Sequence, residues 1–191
     1  MLFEKAKNGD IDSFEKLILE YEKLYFNIAY RILNDIEDAK DATQTGLIKI
    51  YKNFGKCASH NVFKAWSCKI ITNTSIDYLR HKKRHYTEPL DKGTEYGGVT
   101  INTELKSDSP TPEETLINKE RAQLIMDSVN MLDTKYKTVI ILRDLNGFSY
   151  EEIAQITGQP VGTVKSRISR ARNNLKKLLE GRLEHKNIKN V

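Results

Sequence analysis

Cysteine and long hydrophobic runs are both scarce in this sequence of 191 residues. Its two cysteines, Cys57 and Cys68, lie eleven positions apart and lack the Cys-x-x-Cys spacing of metal and redox sites, which indicates free thiols in a reducing cytoplasm. No apolar run approaches the length of a membrane span. The N-terminus is charged from Glu4 onward and has no apolar segment of the signal-peptide kind. We therefore expect a cytoplasmic protein with no metal and no insertion into a membrane.

Motifs for catalysis are missing as well. There is no glycine-rich phosphate loop, no Ser/His/Asp arrangement in a plausible context and no metal-ligand spacing. The four histidines lie in polar or basic surroundings without a clear partner. The sequence therefore predicts that the protein is not an enzyme and holds no cofactor.

Charge is segregated along the chain, although the net value is only +5. Residues 160–182 hold seven Lys or Arg and one Glu, so 7 − 1 gives +6. Residues 86–115 hold two Lys and seven acids, so 2 − 7 gives −5. Blocks of opposite sign indicate segments with separate roles rather than a uniformly basic surface.

Apolar residues repeat at three- and four-residue steps along most of the chain, which predicts an all-α fold. In the first half, helices are predicted over residues 12–32, 36–54 and 62–84, the first opened by a capping box of Asp12 and Glu15. We expect Tyr51 on the inner face of the second of these helices. The expected buried side of the third helix consists of Phe63, Trp66, Ile70, Thr74 and Tyr78.

The composition changes between residues 87 and 112, which combine prolines, the pair Gly97-Gly98 and many Ser, Thr, Asp and Glu. This composition predicts a flexible acidic linker. Helices resume near Pro112 and continue through an apolar segment around Val139, and residues 180–191 have the composition of a frayed polar tail. The predicted plan is two small helical domains joined by the linker.

Residues 148–179 carry the pattern of a helix-turn-helix with a basic second helix. Ser149 is placed to cap the first helix, and Gly158 falls where that helix must end in a left-handed turn. Pro160, which has no amide hydrogen, suits the start of the second helix. That helix has one apolar stripe and is cationic elsewhere, as a helix in a DNA major groove requires. We therefore predict DNA binding by this segment.

Taken alone, a basic amphipathic helix is equally consistent with a solvated face or a membrane-surface helix. The membrane interpretation needs bulky aromatics on the apolar face, and this stripe consists of Val, Ile, Ala and Leu. The small Ala154 and the turn residue Gly158, at the spacing of a tight helix–helix turn, favour DNA binding.

Three stretches of the first half and one of the second resemble the extracytoplasmic-function (ECF) sigma factors, the small initiation factors of bacterial RNA polymerase. The first-half stretches are SFEKLILEYEKLYFNIAYRIL, DIEDAKDATQTGLIKIYKNF and FKAWSCKIITNTSIDYLRHKKR. The second-half stretch is LDTKYKTVIILRDLNGFSYEEIAQITGQPVGTVKSRISRARNNLKKLL. The resemblance covers nearly the whole chain and implies sigma region 2 over residues 1–86, a linker over 87–112 and sigma region 4 over 113–191.

The resemblance implies binding to core RNA polymerase, to double-stranded and melted promoter DNA, and to an anti-sigma factor. On the second helix it implies a contact with the clamp helices of the largest polymerase subunit, through Asp38, Asp41, Gln44 and Leu47. From charge alone, an ordinary solvated helix face is the better explanation of these side chains, and only the resemblance favours the polymerase contact. The family usually has an acid after the glutamine, whereas Thr45-Gly46 follows here.

The resemblance also implies two DNA-binding surfaces. The residues that open and read the −10 element are expected to be Asn61, Lys69, Asn73, Asp77, Arg80, Lys82, Lys83 and Arg84. The expected readers of the −35 element are Thr163, Lys165, Ser166, Arg167 and Arg170, with Arg172 and Lys176 on the DNA backbone. Trp66 invites a role in base stacking, but its spacing with Phe63 and Ile70 favours a core position.

Two other functions remain open on the sequence. A repressor or activator would bind duplex DNA through the C-terminal domain and use the first half for dimerisation or sensing. An RNA-binding adaptor would require exposed aromatics on a sheet, and the sequence predicts no sheet.

Overall fold

The structure is a computed structural model that describes residues 2–85 and 112–188. The predicted linker therefore lies outside the described residues, apart from Pro112, with which a helix begins. The described residues are helical with short turns and contain no strand, which confirms the all-α prediction.

The first unit contains five helices and one short 3₁₀ turn at Phe54–Lys56. The helices are α1 (Leu2–Lys7), α2 (Ile11–Leu19), α3 (Glu22–Leu33), α4 (Ile36–Asn53) and α5 (His60–His85). Helices α3, α4 and α5 pack against one another around buried aromatic and branched side chains. The bounds of α4 and α5 agree with the predicted second and third helices.

The single helix predicted over residues 12–32 is wrong, because the structure divides it into α2 and α3. The backbone turns at Tyr21, whose N–H donates to the carbonyl of Ile18 at 2.9 Å instead of continuing the α-helical pattern. Helix α2 begins after Asp10, whose carboxylate accepts from the Ser13 hydroxyl at 2.6 Å. The apolar periodicity runs through the break because both helices pack against the same core, so periodicity gives no signal of it.

The second unit contains α6 (Pro112–Asn130), α7 (Thr134–Ile140), a π-helical turn (Ile141–Leu145), α8 (Tyr150–Thr157) and α9 (Val161–Ile188). Its core includes Ile141 and Leu142 from the π turn together with Phe148. The prediction of a frayed tail from residue 180 is wrong as far as Ile188. Helix α9 continues, and Arg182 lies 3.5 Å from Asp127 of α6, which ties the end of α9 to the unit.

The two units pack together through α5 and α8, with further contacts from α3 to α7 and to the π turn. This packing gives α5 a second buried face that includes Cys68 and Thr72, in addition to the predicted positions Phe63 and Thr74. The predicted core positions Trp66, Ile70 and Tyr78 are only half-buried. No helix in the described part of the chain is both long and apolar enough to cross a membrane.

Candidate nucleic-acid and polymerase interfaces

The helix-turn-helix forms as its local sequence predicts. The hydroxyl of Ser149 accepts from the backbone N–H of Glu152 at 3.1 Å, and the Glu152 carboxylate accepts from the N–H of Ser149 at 2.7 Å. Gly158 ends α8 with φ at 67°, a left-handed conformation that strains a side chain with a Cβ. Val164, Ile168 and Ala171 of α9 are buried, so the remaining faces of α9 are available to a ligand.

The early turns of α9 present the predicted base-reading residues. Lys165, Ser166 and Arg170 are exposed, while Thr163 and Arg167 are half-buried. The guanidinium of Arg167 donates to the side-chain oxygen of Gln159, in the turn before α9, at 3.1 Å. This hydrogen bond fixes the direction of a long side chain before any DNA is present.

Arg172 is held by an acid that the sequence interpretation missed. Its guanidinium makes a two-point contact with the carboxylate of Asp144, with Nε at 3.1 Å. Asp144 belongs to the π turn, and such turns recur at functional sites. This pairing raises the pKa of Arg172. A phosphate contact by Arg172 therefore has to compete with Asp144 or use the remaining guanidinium donors. Lys176, one turn later, is exposed and lies 3.7 Å from Glu180.

The expected −10 surface on α5 is an exposed stripe. Lys69, Asn73, Asp77 and Arg80 are all exposed, and Arg80 lies 3.4 Å from Asp77. Asn61, in the first turn of the helix, and Lys83 and Arg84, near its end, are exposed too.

Lys82 does not belong to that exposed stripe. It is half-buried, forms an ion pair with Asp38 of α4 and lies 3.9 Å from Asp35. The side chain of Asp38 is only 15% exposed, so the expectation that it points outward is wrong. Two residues predicted for separate interfaces instead bind each other and join α4 to α5.

The exposed face of α4 is less polar than predicted. Asp41 and Gln44 are exposed and Leu47 is half-buried, but Ile48 and Tyr51 are also 49% and 55% exposed. The prediction that Tyr51 points inward is wrong. Its ring makes an edge-on contact with the ring of Phe14, with the centroids 5.1 Å apart, and does not enter the core. Apolar side chains beside acids and an amide are typical of a protein–protein interface. Ile48 and Tyr51 were missed because periodicity assigns large apolar residues to the core.

Gly46 is the point of close approach between α4 and α5. A Cβ at this position would lie 2.5 Å from Cδ1 of Ile71 on α5. The glycine is buried and lets the two helices approach closely. Its role in the structure is therefore packing, not contact with a partner.

The two thiols and Tyr78, near these surfaces, also have shifted pKa values. Burial raises the pKa of Cys68 to about 12 and also raises the pKa of Cys57, so both remain protonated thiols, and neither forms a disulfide. Desolvation, followed by the charges of Asp38 and Asp41, raises the pKa of Tyr78. Within the described residues there is no cluster of His, Cys, Asp and Glu that would hold a metal.

Comparison with known proteins identifies two family regions. The family model for sigma-70 region 2 matches residues 17–85, and the model for sigma-70 region 4 matches residues 122–175. The ECF RNA polymerase sigma factor SigW of Bacillus subtilis is 34% identical over 177 residues, covering 92% of this chain and 94% of that protein. The ECF RNA polymerase sigma-E factor of Haemophilus influenzae is 32% identical over 171 residues, covering 90% and 89%.

A solved structure shows the same arrangement of helices. The sigma factor RpoE of Bartonella quintana, crystallised with the anti-sigma factor NepR, superposes with a TM-score of 0.70 at 26% identity. The match covers 89% of this chain and 98% of that one.

Proposed function

This chain belongs to the ECF sigma factors of bacterial RNA polymerase, and from that membership we propose that it binds core polymerase and directs transcription from promoters with two recognition elements. One observation supports this most strongly: a single chain carries both a capped helix-turn-helix and a second exposed polar and basic stripe on α5. A simple duplex-binding repressor needs only the first of these surfaces.

We assign the recognition of the −35 element to the early turns of α9, led by Lys165, Ser166 and Arg170. Arginine and lysine contact guanine edges in the major groove, and hydroxyls accept or donate to several bases. Thr163 and Arg167 complete the set from half-buried positions. Arg172 and Lys176 lie further along α9, and we assign them to contacts with the phosphates.

We assign the opening and capture of the −10 element to the exposed stripe of α5. Lysines and arginines hold phosphates, while Asn73 and Asp77 can hydrogen-bond to the edges of unpaired bases. Unstacking a base costs a few kcal/mol, so capture of the opened strand has to offset that cost. Lys82 contributes to this surface only if it leaves Asp38.

Docking on the clamp helices of the polymerase is assigned to α4 through Asp41, Gln44, Ile48 and Tyr51. Exposed acids suit a basic groove, and the two apolar side chains supply area that becomes buried on binding.

We place the first domain at residues 1–86, the linker at 87–112 and the second domain at 113–191. An anti-sigma factor is a further expected partner, since the related RpoE has been crystallised with one. The protein needs no reaction of its own for this role, which it performs in the cytoplasm.

The test is run-off transcription with purified core polymerase, this protein and a library of promoter DNA. We expect promoter-specific transcripts only when the protein is added, and their sequences define the two elements. DNA binding without any transcript, even from templates opened in advance, would instead support a repressor and contradict the α4 assignment.

A further inference from the structure

A lysine of α1 holds the short segment that leads into α5. The ammonium of Lys7 donates to the backbone carbonyl of Cys57 at 3.0 Å and, more weakly, to that of Ala58 at 3.5 Å. Both residues lie between the 3₁₀ turn and α5, in residues 57–59, which we call the entry segment. Carbonyls outside regular helices need donors from elsewhere, and an ammonium group has three N–H bonds to donate. Lys7 therefore supplies hydrogen bonds to a segment that is distant in the sequence.

The last carbonyl of the entry segment links it to the first turn of α5. The Ser59 carbonyl accepts from the thiol of Cys57 at 3.6 Å and from the backbone N–H of Val62 at 3.3 Å. The bond from Val62 closes a turn that contains His60 and Asn61. Asn61 is the first residue of α5 that we assign to the −10 surface. Its backbone position therefore depends on the segment that the ammonium group holds.

Aromatic packing anchors α1 on both sides of the entry segment. Phe3 is only 1% exposed. Its ring contacts that of Phe54, before the segment, and that of Phe63, after it, with centroids 5.2 and 6.0 Å apart. The ring of His60 lies edge-on to Phe3, also at 6.0 Å. Edge-on aromatic pairs at such distances are favourable. Helix α1 therefore presents Lys7 from a position that the core of the first unit defines.

We propose that Lys7 is a positioning residue for the −10 surface, because it holds the entry segment so that Asn61 meets an opened base from a defined place. The inference rests on the proposed function, since it takes Asn61 to contact the opened strand. A side-chain amide both donates and accepts, so it discriminates between bases only if its direction is set before the strand arrives. Lys7 acts through the entry segment and makes no contact with the base.

An exposed cation also has a simpler possible role, which is the attraction of phosphates. Lys5 is exposed on the same helix, so Lys5→Met removes the same charge and leaves the hydrogen bonds of Lys7 in place. Methionine keeps the apolar stem of the lysine side chain in both variants. Phosphate attraction predicts that Lys5→Met and Lys7→Met weaken every template by a similar factor. Positioning predicts that only Lys7→Met loses discrimination between bases.

Cys57 reports on the entry segment without any DNA. Burial raises the pKa of this thiol, and the charge of Lys7 partly opposes that effect. Loss of the charge alone would raise the pKa further and slow the reaction of Cys57 with a thiol reagent. We expect instead that Lys7→Met accelerates modification of Cys57 by about threefold or more, located by mass spectrometry, because the segment opens locally.

Cys68 is the internal reference for this measurement, because it is fully buried in the middle of α5. Its rate of modification should be the same in Lys7→Met, Lys5→Met and the wild type. An unchanged or slower reaction of Cys57 in Lys7→Met would overturn the anchoring by Lys7. Equal acceleration of both thiols would show general destabilisation and would also overturn it.

Base discrimination on opened templates tests the positioning itself. Holoenzyme made from core polymerase and the full chain is bound to promoter templates, opened in advance, that differ by single bases in the −10 element. The position of interest is the one at which Asn61→Ala lowers the ratio of affinities between the best base and the others. We expect Lys7→Met to lower that ratio by about threefold or more, and Lys5→Met to leave it unchanged. In the double variant K7M/N61A, the change at Lys7 should have no further effect there, because it acts through Asn61.

Three results would overturn the positioning role. They are full discrimination in Lys7→Met, an undiminished effect of Lys7→Met in the double variant, and wild-type discrimination in Asn61→Ala. Run-off transcription by the unaltered chain separates these results from a failure of the proposed function. If the wild type gives no promoter-specific transcript, the proposed function is contradicted. If it transcribes and discriminates while Lys7→Met behaves like Lys5→Met, only the positioning role falls.

Discussion

Lys137 couples a buried charge to pH in a way that can be measured. Its pKa in the folded chain is about 8, below the ordinary 10.5, so between these values the unfolded chain binds more protons. The free energy of unfolding should therefore rise with pH through this window because of Lys137, by about 1 kcal/mol per pH unit. Below about pH 8 both states bind the proton, so Lys137 should give the free energy of unfolding no pH dependence there.

Urea unfolding of the wild type and of Lys137→Met at pH 7.5, 8.5 and 9.5 tests this expectation. Methionine has similar length and does not titrate, so the other lysines cancel in the comparison. The difference in unfolding free energy, wild type minus variant, should increase with pH. If the unfolding free energies of wild type and variant instead change with pH in parallel, Lys137 is solvated in the folded protein.

Arg170 and Lys176 differ in the kind of DNA contact that we assign to them. Replacing Arg170 by alanine should cost about 1–3 kcal/mol at one promoter position and relax specificity there. Replacing Lys176 by alanine should weaken all promoters alike and reduce the salt slope of binding by about one unit. Affinities of the polymerase complex for a set of single-base promoter variants at several salt concentrations separate the two effects. Loss of the same affinity on every promoter in both variants would contradict base reading by Arg170.

Close packing of α4 on α5 depends on Gly46 and Ile71. Alanine at 46 gains up to about 1 kcal/mol of helix propensity, but its Cβ requires the end of the buried Ile71 side chain to move. Ile71→Val removes the Cδ1 atom that conflicts, at a cost of about 0.5–1.5 kcal/mol alone. We expect the loss of unfolding free energy in the double variant G46A/I71V to be smaller than the summed losses of the two single variants, by at least about 0.5 kcal/mol. Additive free energies in denaturant titrations would mean that Ile71 changes rotamer at no cost.

Local signals made the helix-turn-helix predictable. Ser149 and Gly158 act through hydrogen bonds and backbone preferences within a few residues, and the structure places both as the sequence indicates. The bounds of α4 follow for the same reason, since Asp35 caps its first turn. For such elements the information lies inside the segment.

Contacts between distant segments were not predictable from periodicity. The break at Tyr21, the pairing of Asp38 with Lys82 and the exposure of Tyr51 each depend on where another helix lies. The second buried face of α5 is the clearest case, because small polar residues such as Thr72 become core only when α8 covers them. Of the candidate site, the exposed stripes were predictable, whereas the partners Asp144 and Gln159 were not.

At the scale of the whole molecule, the two units pack against each other through α5 and α8, and nothing in the sequence indicated this interface. If α5 and α8 stabilise each other, the wild-type chain should unfold in one cooperative transition. Lys64 of α5 takes part in this contact, with its ammonium 4.6 Å from the ring centre of Phe148 and 3.9 Å from the carboxylate of Glu152. Lys64→Glu would place two carboxylates together and remove the cation from the ring, which uncouples the units.

Scanning calorimetry should therefore resolve two transitions in Lys64→Glu, the lower one shifted down by roughly 4–8 °C for each kcal/mol of coupling lost from a unit of this size. Lys40→Glu is the matched control, because Lys40 is exposed and pairs only with Glu37 of its own helix among the contacts described. That variant should keep the single transition of the wild type. Two transitions already present in the wild type would show that the interface contributes too little free energy to couple the units.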